Sequence, residues 1–225
     1  MEEHVSAVSG GKEGQDKVIM VDDKGVCNNS QIQMPKPRWG HSSSFILSRL
    51  ILCGGITDET KGPSNSCDIY HLERNKAWSP GAAMLTPRHR AAGTSLLGKM
   101  YMIGGATGKP EGSSTSTMEV YDPSKDVWTQ GPSMPIAVTA ACAVSHKDVI
   151  IVSGGFNSTG ESSEVFMFNV TQSTWYRLDS MKQARAKHGC SLSPRYYLKW
   201  KVIWGKHVST WCYAGQHKTL WLMWL

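Results

Sequence analysis

Three groups of residues in this sequence are of types and at spacings that could do chemistry. The first is Gly104-Gly105-Ala106-Thr107-Gly108-Lys109-Pro110, whose Gly-Lys step suggests a phosphate loop. Such a loop has the form G-x-x-x-x-G-K-[ST], in which backbone N–H groups and the lysine surround phosphates and a hydroxyl meets magnesium. Ile103 stands where the first glycine is needed and Pro110 where the hydroxyl is needed, so the segment is not read as a nucleotide site. The second group is the metal-ligating and nucleophilic set, eight histidines and six cysteines (Cys27, Cys53, Cys67, Cys142, Cys190, Cys212). Zinc takes three or four convergent nitrogen and sulfur ligands, usually in closely spaced pairs. No C-x-x-C, H-E-x-x-H or G-x-S-x-G occurs here, and neither a metal nor a cofactor is expected. The wide cysteine spacing predicts buried free thiols, hence a reducing compartment and a cytoplasmic protein. The third group is Arg38, Arg88 and Arg185, each four residues after a methionine (Met34, Met84, Met181). Planar guanidinium groups suit carboxylate-rich surfaces. These three arginines are the partner-binding candidates, and the equal alternative is that they tie neighbouring segments together through backbone carbonyls.

Charge and hydropathy exclude other partners. The net charge is +6, but residues 181–225 hold eight Lys/Arg and no Asp or Glu. The first 180 residues therefore carry 24 − 8 = 16 basic and 18 acidic groups, which leaves no basic footprint for a phosphate backbone. No run reaches the roughly 18 apolar residues of a membrane span. The start Met1-Glu2-Glu3-His4 does not read as a signal peptide, and the sequons at Asn28, Asn157 and Asn169 matter only in a secreted protein.

The elements that must position these residues recur. Apolar runs end in the glycine pairs Gly54-Gly55, Gly104-Gly105 and Gly154-Gly155, each 50 residues after the last. Met34, Met84, Met134 and Met181 keep step, as do Trp78, Trp128 and Trp175. An aromatic residue stands seven or eight positions before each Trp: Tyr70, Tyr121 and Phe168. Turn residues fill the interval, as in Tyr121-Asp122-Pro123-Ser124-Lys125-Asp126-Val127-Trp128. Shared aromatics in every unit read as a packing code between neighbouring units. The arginine slot follows the same register, with Val138 in the third place. So does the slot seven residues after each methionine: His41, Ala91, Ala141 and His188. A slot filled by histidine or alanine reads as packing, not metal ligation.

The double glycine after an apolar strand, the spaced Tyr and Trp, and the Met-Pro-x-x-Arg-like opening of each unit resemble the kelch repeat, whose period is about 50 residues. That resemblance covers residues 17–192 and implies an all-β fold, a partial kelch-type β-propeller of about three full four-stranded blades with partial blades at both ends. Residues 1–16 are expected to be disordered. Full units are expected at 34–83, 84–133 and 134–180, with partial units at 17–33 and 181–192. Residues 193–225 form a Trp-rich basic tail in which the pattern is lost, as in a truncated product. The resemblance implies a non-enzymatic module that binds another protein through loops at one face, here Ile56–Ser66, Ala106–Thr117 and Phe156–Ser163. Kelch ubiquitin-ligase adaptors also carry BTB and BACK regions, for which the residues before Met34 leave no room. Two alternatives stand beside this reading. One is a fragment of a copper-radical oxidase, since Cys53, Cys67, Tyr70 and His71 share a unit; the other is a truncated chain without independent function.

Overall fold

Apolar runs of four or five residues, broken by glycine pairs and Asp-Pro or Leu-Gly turns, are too short for helices and suit strands. The computed structural model describes residues 6–9, 17–21, 27–57, 59, 61–73, 76–108, 113–191 and 201–203, and its regular elements are all strands. A first antiparallel sheet holds β1 (Ser6–Ser9), β2 (Lys17–Val21) and β3 (Cys27–Gln33). The second holds β4 (Arg38–Ile46), β5 (Arg49–Thr57), β6 (Cys67–His71) and β7 (Ala77–Gly81) in that order. The third repeats the plan with β8 (Ala92–Leu96), β9 (Lys99–Ile103), β10 (Met118–Asp122) and β11 (Val127–Gly131). In the fourth, β12 (Cys142–His146) and β13 (Val149–Ser153) are followed by a small hairpin of β14 (Phe156–Asn157) and β15 (Gly160–Glu161). Its outer strands are β16 (Val165–Asn169) and β17 (Thr174–Leu178). A fifth sheet is begun by β18 (Gly189–Ser191) paired with β19 (Lys201–Ile203). Among the described residues the chain is a partial kelch-type propeller with three complete four-stranded blades.

The second strand of each blade is apolar at successive positions because both of its faces are covered. Leu50 and Leu52 of β5 enter a cluster with Val18, Met34 and Tyr70, while Ile51 and Cys53 enter one with Met84, Met100, Met102, Tyr121 and Trp128. One blade further on, Tyr101 and Ile103 of β9 pack with Met134, Ile150, Val152, Phe166 and Phe168. Consecutive blades thus share a core wedge, and the recurring methionine sits in each. Each aromatic and tryptophan stack across one strand pair, with ring centroids 5.2 Å apart for Tyr70–Trp78, 5.1 Å for Tyr121–Trp128 and 5.0 Å for Phe168–Trp175. Trp128 Nε1 donates to the carbonyl of Ala82 at 2.9 Å, and Trp175 Nε1 to that of Pro132 at 2.9 Å, so these two indoles also hold the connection from the preceding blade. Asp126 completes that lock by accepting from Ala82 N and from the Tyr121 hydroxyl.

The glycine pairs have two jobs. Their φ values are +74° and +85° (Gly54, Gly55), +65° and +94° (Gly104, Gly105), and +63° and +94° (Gly154, Gly155), a region that side chains with a Cβ avoid. A Cβ on the first glycine would also lie 2.4–2.5 Å from a carbonyl oxygen of the next blade: Arg88 for Gly54, Val138 for Gly104 and Arg185 for Gly154. The second glycine uses that approach, since the Gly55, Gly105 and Gly155 N–H groups donate to those same carbonyls at 2.9, 2.8 and 2.9 Å.

Two expectations are corrected. Ser6–Ser9 is not disordered: it pairs with Val18–Val21. The rest of the expected disordered segment lies outside the described residues, as does the basic tail apart from β19. Four of the six cysteines are not free thiols. Cys53 faces Cys67 in strand register and the two form a disulfide with Cα atoms 4.2 Å apart. Cys142 and Cys190, on the inner strands of consecutive blades, form another at 6.0 Å. No free cysteine remains among the described residues. Spacings of 14 and 48 residues hid these contacts because they arise from strand register and blade stacking. A reducing compartment therefore no longer follows from the cysteines.

The hairpin between β8 and β9 is a two-residue turn, Leu97-Gly98, with φ of +51° and +72°. Leu97 is 67 % exposed, so it takes left-handed strain without gaining burial. Asn tolerates this turn position far better. Leu97→Asn is expected to raise stability by about 0.5–1 kcal/mol. Thermal unfolding checks this, and a lowered midpoint would contradict it.

Candidate functional site

The arginine slot occurs at the start of each unit, in the connection that leads into the inner strand. Arg38 and Arg88 are almost wholly buried, at 2 % and 0 % exposure. Arg38 donates to the carbonyls of Gly54 and Ser66 at 3.2 and 3.1 Å and pairs with Asp68. Burial pulls its pKa below the ordinary arginine value, and Asp68 opposes that. Arg88 donates to the carbonyls of Gly104 and Thr117 at 2.8 and 3.1 Å and pairs with Glu119. Glu119 in turn accepts the N–H groups of Leu85 and Thr86 at 2.8 and 3.0 Å. These guanidinium groups have no surface with which to meet another molecule, which corrects the expectation of partner contact for Arg38 and Arg88. They clamp the glycine pair of their own blade, while the backbone carbonyl at the same slot holds the glycine pair of the blade before.

The fourth blade shows the same logic by substitution. Where Arg38 and Arg88 have Asp68 and Glu119, Val138 has Phe166, and both residues join the core. Ion pair and apolar pair exchange as units, as expected when an unmatched buried charge is costly. Arg185 differs from its counterparts. It is half-buried, its Nε donates to Gln183 O at 3.4 Å, and among the described residues no carboxylate meets it.

The other slot residues are also structural. Burial, with the nearby Arg38 charge, lowers the His41 pKa to about 4, and burial with Arg185 lowers that of His188 to about 4. His188 lies 3.2 Å from Ser153 Oγ. A folded-state pKa below the unfolded value of about 6.5 means that protons bind the unfolded chain better, so stability falls as pH drops from about 6.5 toward 4. The His188 contribution is expected to be on the order of 1–2 kcal/mol lost by about pH 5. Urea unfolding across this range should show a shallower pH slope for His188→Gln; an unchanged slope would contradict the assignment.

A second ring of residues, not singled out by the sequence, lines the same end of the inner strands. Gly40, Arg90, Ala140 and Lys187 occupy one slot, six residues after each methionine, and all have positive φ: +64°, +53°, +54° and +53°. They are linked by backbone hydrogen bonds, one per blade: Lys187 N to Ala140 O at 2.9 Å, Ala140 N to Arg90 O at 2.8 Å, and Arg90 N to Gly40 O at 2.6 Å. The Arg90 guanidinium lies 5.4 Å from the Trp39 ring centroid, and Lys187 Nζ lies 5.6 Å from that of Phe156. Trp39 also meets His89 edge-on at 5.9 Å. The result is a rim of alternating cations and aromatic faces held on a strained but over-determined backbone, a pattern that clusters at functional sites. In sequence its only signal is the periodic slot, and the change from Gly40 to Arg90 to Ala140 to Lys187 hides it.

The connections after the glycine pairs emerge at this end. They are tied to the inner-strand connections by bridges between His89 and Ala106, Thr115 and Val138, and Thr139 and Phe156. Elsewhere, the residues considered for copper-radical chemistry are otherwise engaged: Cys53 is bonded to Cys67, the Tyr70 ring packs on Trp78, and His71 Nε2 lies 2.8 Å from Ser79 Oγ. Among the described residues no group of three or more His, Cys, Asp or Glu could hold a metal ion, and no helix is long and apolar enough to cross a membrane.

Comparison with known proteins agrees with this architecture. The solved structure of YjhT superposes with a TM-score of 0.73 at 18 % identity, over 84 % of this chain and 67 % of that one, which is a likeness of fold. None of the curated proteins compared matches the sequence. The family model for the KLHDC2/KLHL20/DRC7 kelch-repeats domain matches residues 13–198. Its span takes in every glycine pair, aromatic stack and arginine clamp described above, and the chain belongs to that kelch-repeat family.

Proposed function

We propose that this kelch-repeat chain is a non-enzymatic protein-binding module whose partner lies on the rim and on the loops that follow the glycine pairs. The observation that carries this is the rim itself: Arg90 and Lys187 are cations in left-handed backbone where Gly40 and Ala140 serve elsewhere, and each is paired with an aromatic ring. Charged groups stacked on Trp39 and Phe156 present an amphipathic surface suited to acidic or aromatic side chains of another protein. The loops 106–117 and 156–163 differ in length and composition while their anchors do not, as recognition loops on a rigid scaffold do. Kelch repeats support such a role in general, and the partner's identity is not part of the proposal.

Arg90→Gly and Lys187→Ala copy residues already found at that slot, so they should leave thermal stability unchanged or slightly higher. Affinity capture with quantified prey is expected to lose its main partner by at least about tenfold in the double variant, which is about 1.4 kcal/mol of binding free energy. Equal capture by the variant and the parent would overturn the rim as the binding surface.

A further inference from the structure

In the third blade the Glu119 carboxylate sits in a fixed cradle: the Arg88 guanidinium on one side, and the N–H groups of Leu85 and Thr86 on the other. Those donors are one, two and four residues after Met84. The same offsets from Met181 give Lys182, Gln183 and Arg185. The backbone frame is held in the same way, with Met181 N donating to Ser163 O at 2.8 Å, Arg185 N to Ser162 O at 3.0 Å, and Gly155 N to Arg185 O at 2.9 Å. At the Glu119 cradle the matching bonds run from Met84 N to Asn65 O at 2.8 Å, from Arg88 N to Ser64 O at 3.1 Å, and from Gly55 N to Arg88 O at 2.9 Å. The cradle of the fifth blade is therefore built, and no acid among the described residues fills it. No acceptor among the described residues takes the Lys182 or Gln183 N–H, and both residues are exposed. In the two blades with an acid, that acid lies 30 or 31 residues after the arginine, from Arg38 to Asp68 and from Arg88 to Glu119. The corresponding positions after Arg185 are Gly215 and Gln216, and residues 180–225 contain no Asp or Glu.

We propose that Arg185, with the backbone N–H groups of Lys182 and Gln183, is a carboxylate-binding site, and that its occupant is a Glu or Asp side chain on an extended strand of a partner protein. That strand takes the place of the third strand in the fifth sheet. Charge complementarity selects it: Lys182, Arg185 and Lys187 cluster here with no acidic residue after Asp179. An extended segment suits the site because strand addition supplies main-chain hydrogen bonds while one side-chain position supplies specificity. His188 reports on occupancy. The Arg185 charge helps to hold it neutral, so a carboxylate that neutralises Arg185 is expected to move the His188 pKa upward.

The test uses the full chain and, as the probe, a labelled synthetic peptide of residues 117–131, the chain's own acid-bearing hairpin. Fluorescence anisotropy is expected to show saturable binding. Glu119→Gln in the peptide and Arg185→Val in the protein should each weaken binding about tenfold or more, with little further loss when the two are combined. NMR titration of His188 should show its pKa rising with bound peptide and not with the Gln peptide. Absence of binding, equal binding of the Gln peptide, or additive losses would overturn the proposal. The peptide substitution leaves the protein untouched, so it decides the matter even if the Arg185 variant folds poorly. The rim reading rests on capture by the Arg90 and Lys187 variants, so the two proposals fail separately.

Discussion

Replacing Arg88 by valine alone is expected to cost about 3–5 kcal/mol, because it strands the Glu119 carboxylate in the protein interior. Glu119 is 1 % exposed, and the N–H groups of Leu85 and Thr86 are its remaining donors. The paired change Arg88→Val with Glu119→Phe reproduces the Val138 and Phe166 arrangement of the next blade and should recover most of that loss. The fourth unit also has Pro135 where the third has Leu85, so it lacks one of the two N–H groups that a carboxylate would satisfy. Adding Leu85→Pro to the double variant is therefore expected to improve it further. Urea unfolding midpoints give the cycle directly. A double variant no more stable than the single would show that the clamp is not exchangeable as a unit.

The second large effect is expected at Trp128. Truncation to alanine removes a ring that is 7 % exposed, its stacking on Tyr121, and the hydrogen bond that holds Ala82, at a cost of about 3–5 kcal/mol. Trp128→Phe keeps the stacking and loses the indole N–H, which should cost only about 1 kcal/mol beyond any packing mismatch. Because Ala82 lies in the connection from the second blade, the alanine variant should also loosen the joint between the second and third blades. Limited proteolysis should then cut near residues 81–91 before it cuts within the strands. Equal resistance in parent and variant would count against the indole as a joint.

The blade plan was legible because it is written as a period: each glycine pair, aromatic and tryptophan has the same neighbours in every unit, so chance resemblance is averaged out. What could not be read was any contact whose two halves lie far apart in sequence and meet only through strand register or blade stacking. The sequence placed Arg38, Arg88 and Arg185 in one slot, but their fates depend on whether an acid stands about thirty residues later; Asp68 and Glu119 meet Arg38 and Arg88, while Gly215 and Gln216 carry no carboxylate. Cysteine pairing failed for the same reason: Cys142 and Cys190 meet only because two inner strands lie side by side. The rim escaped notice because its slot is defined by backbone conformation. Gly40 is a natural left-handed residue, whereas Arg90 and Lys187 hold that conformation with main-chain hydrogen bonds, Arg90 through both its N–H and its carbonyl and Lys187 through its N–H.

The relay of main-chain bonds from Lys187 to Ala140 to Arg90 to Gly40 has a consequence for how such chains change length over time. Each link joins like to like and asks nothing of the side chains, so a gene duplication or deletion of one whole module leaves the joints on both sides already compatible. Gain or loss of a module is then tolerated where insertion of a few residues is not, and related proteins are expected to differ by integral numbers of modules while this inner girdle keeps its spacing.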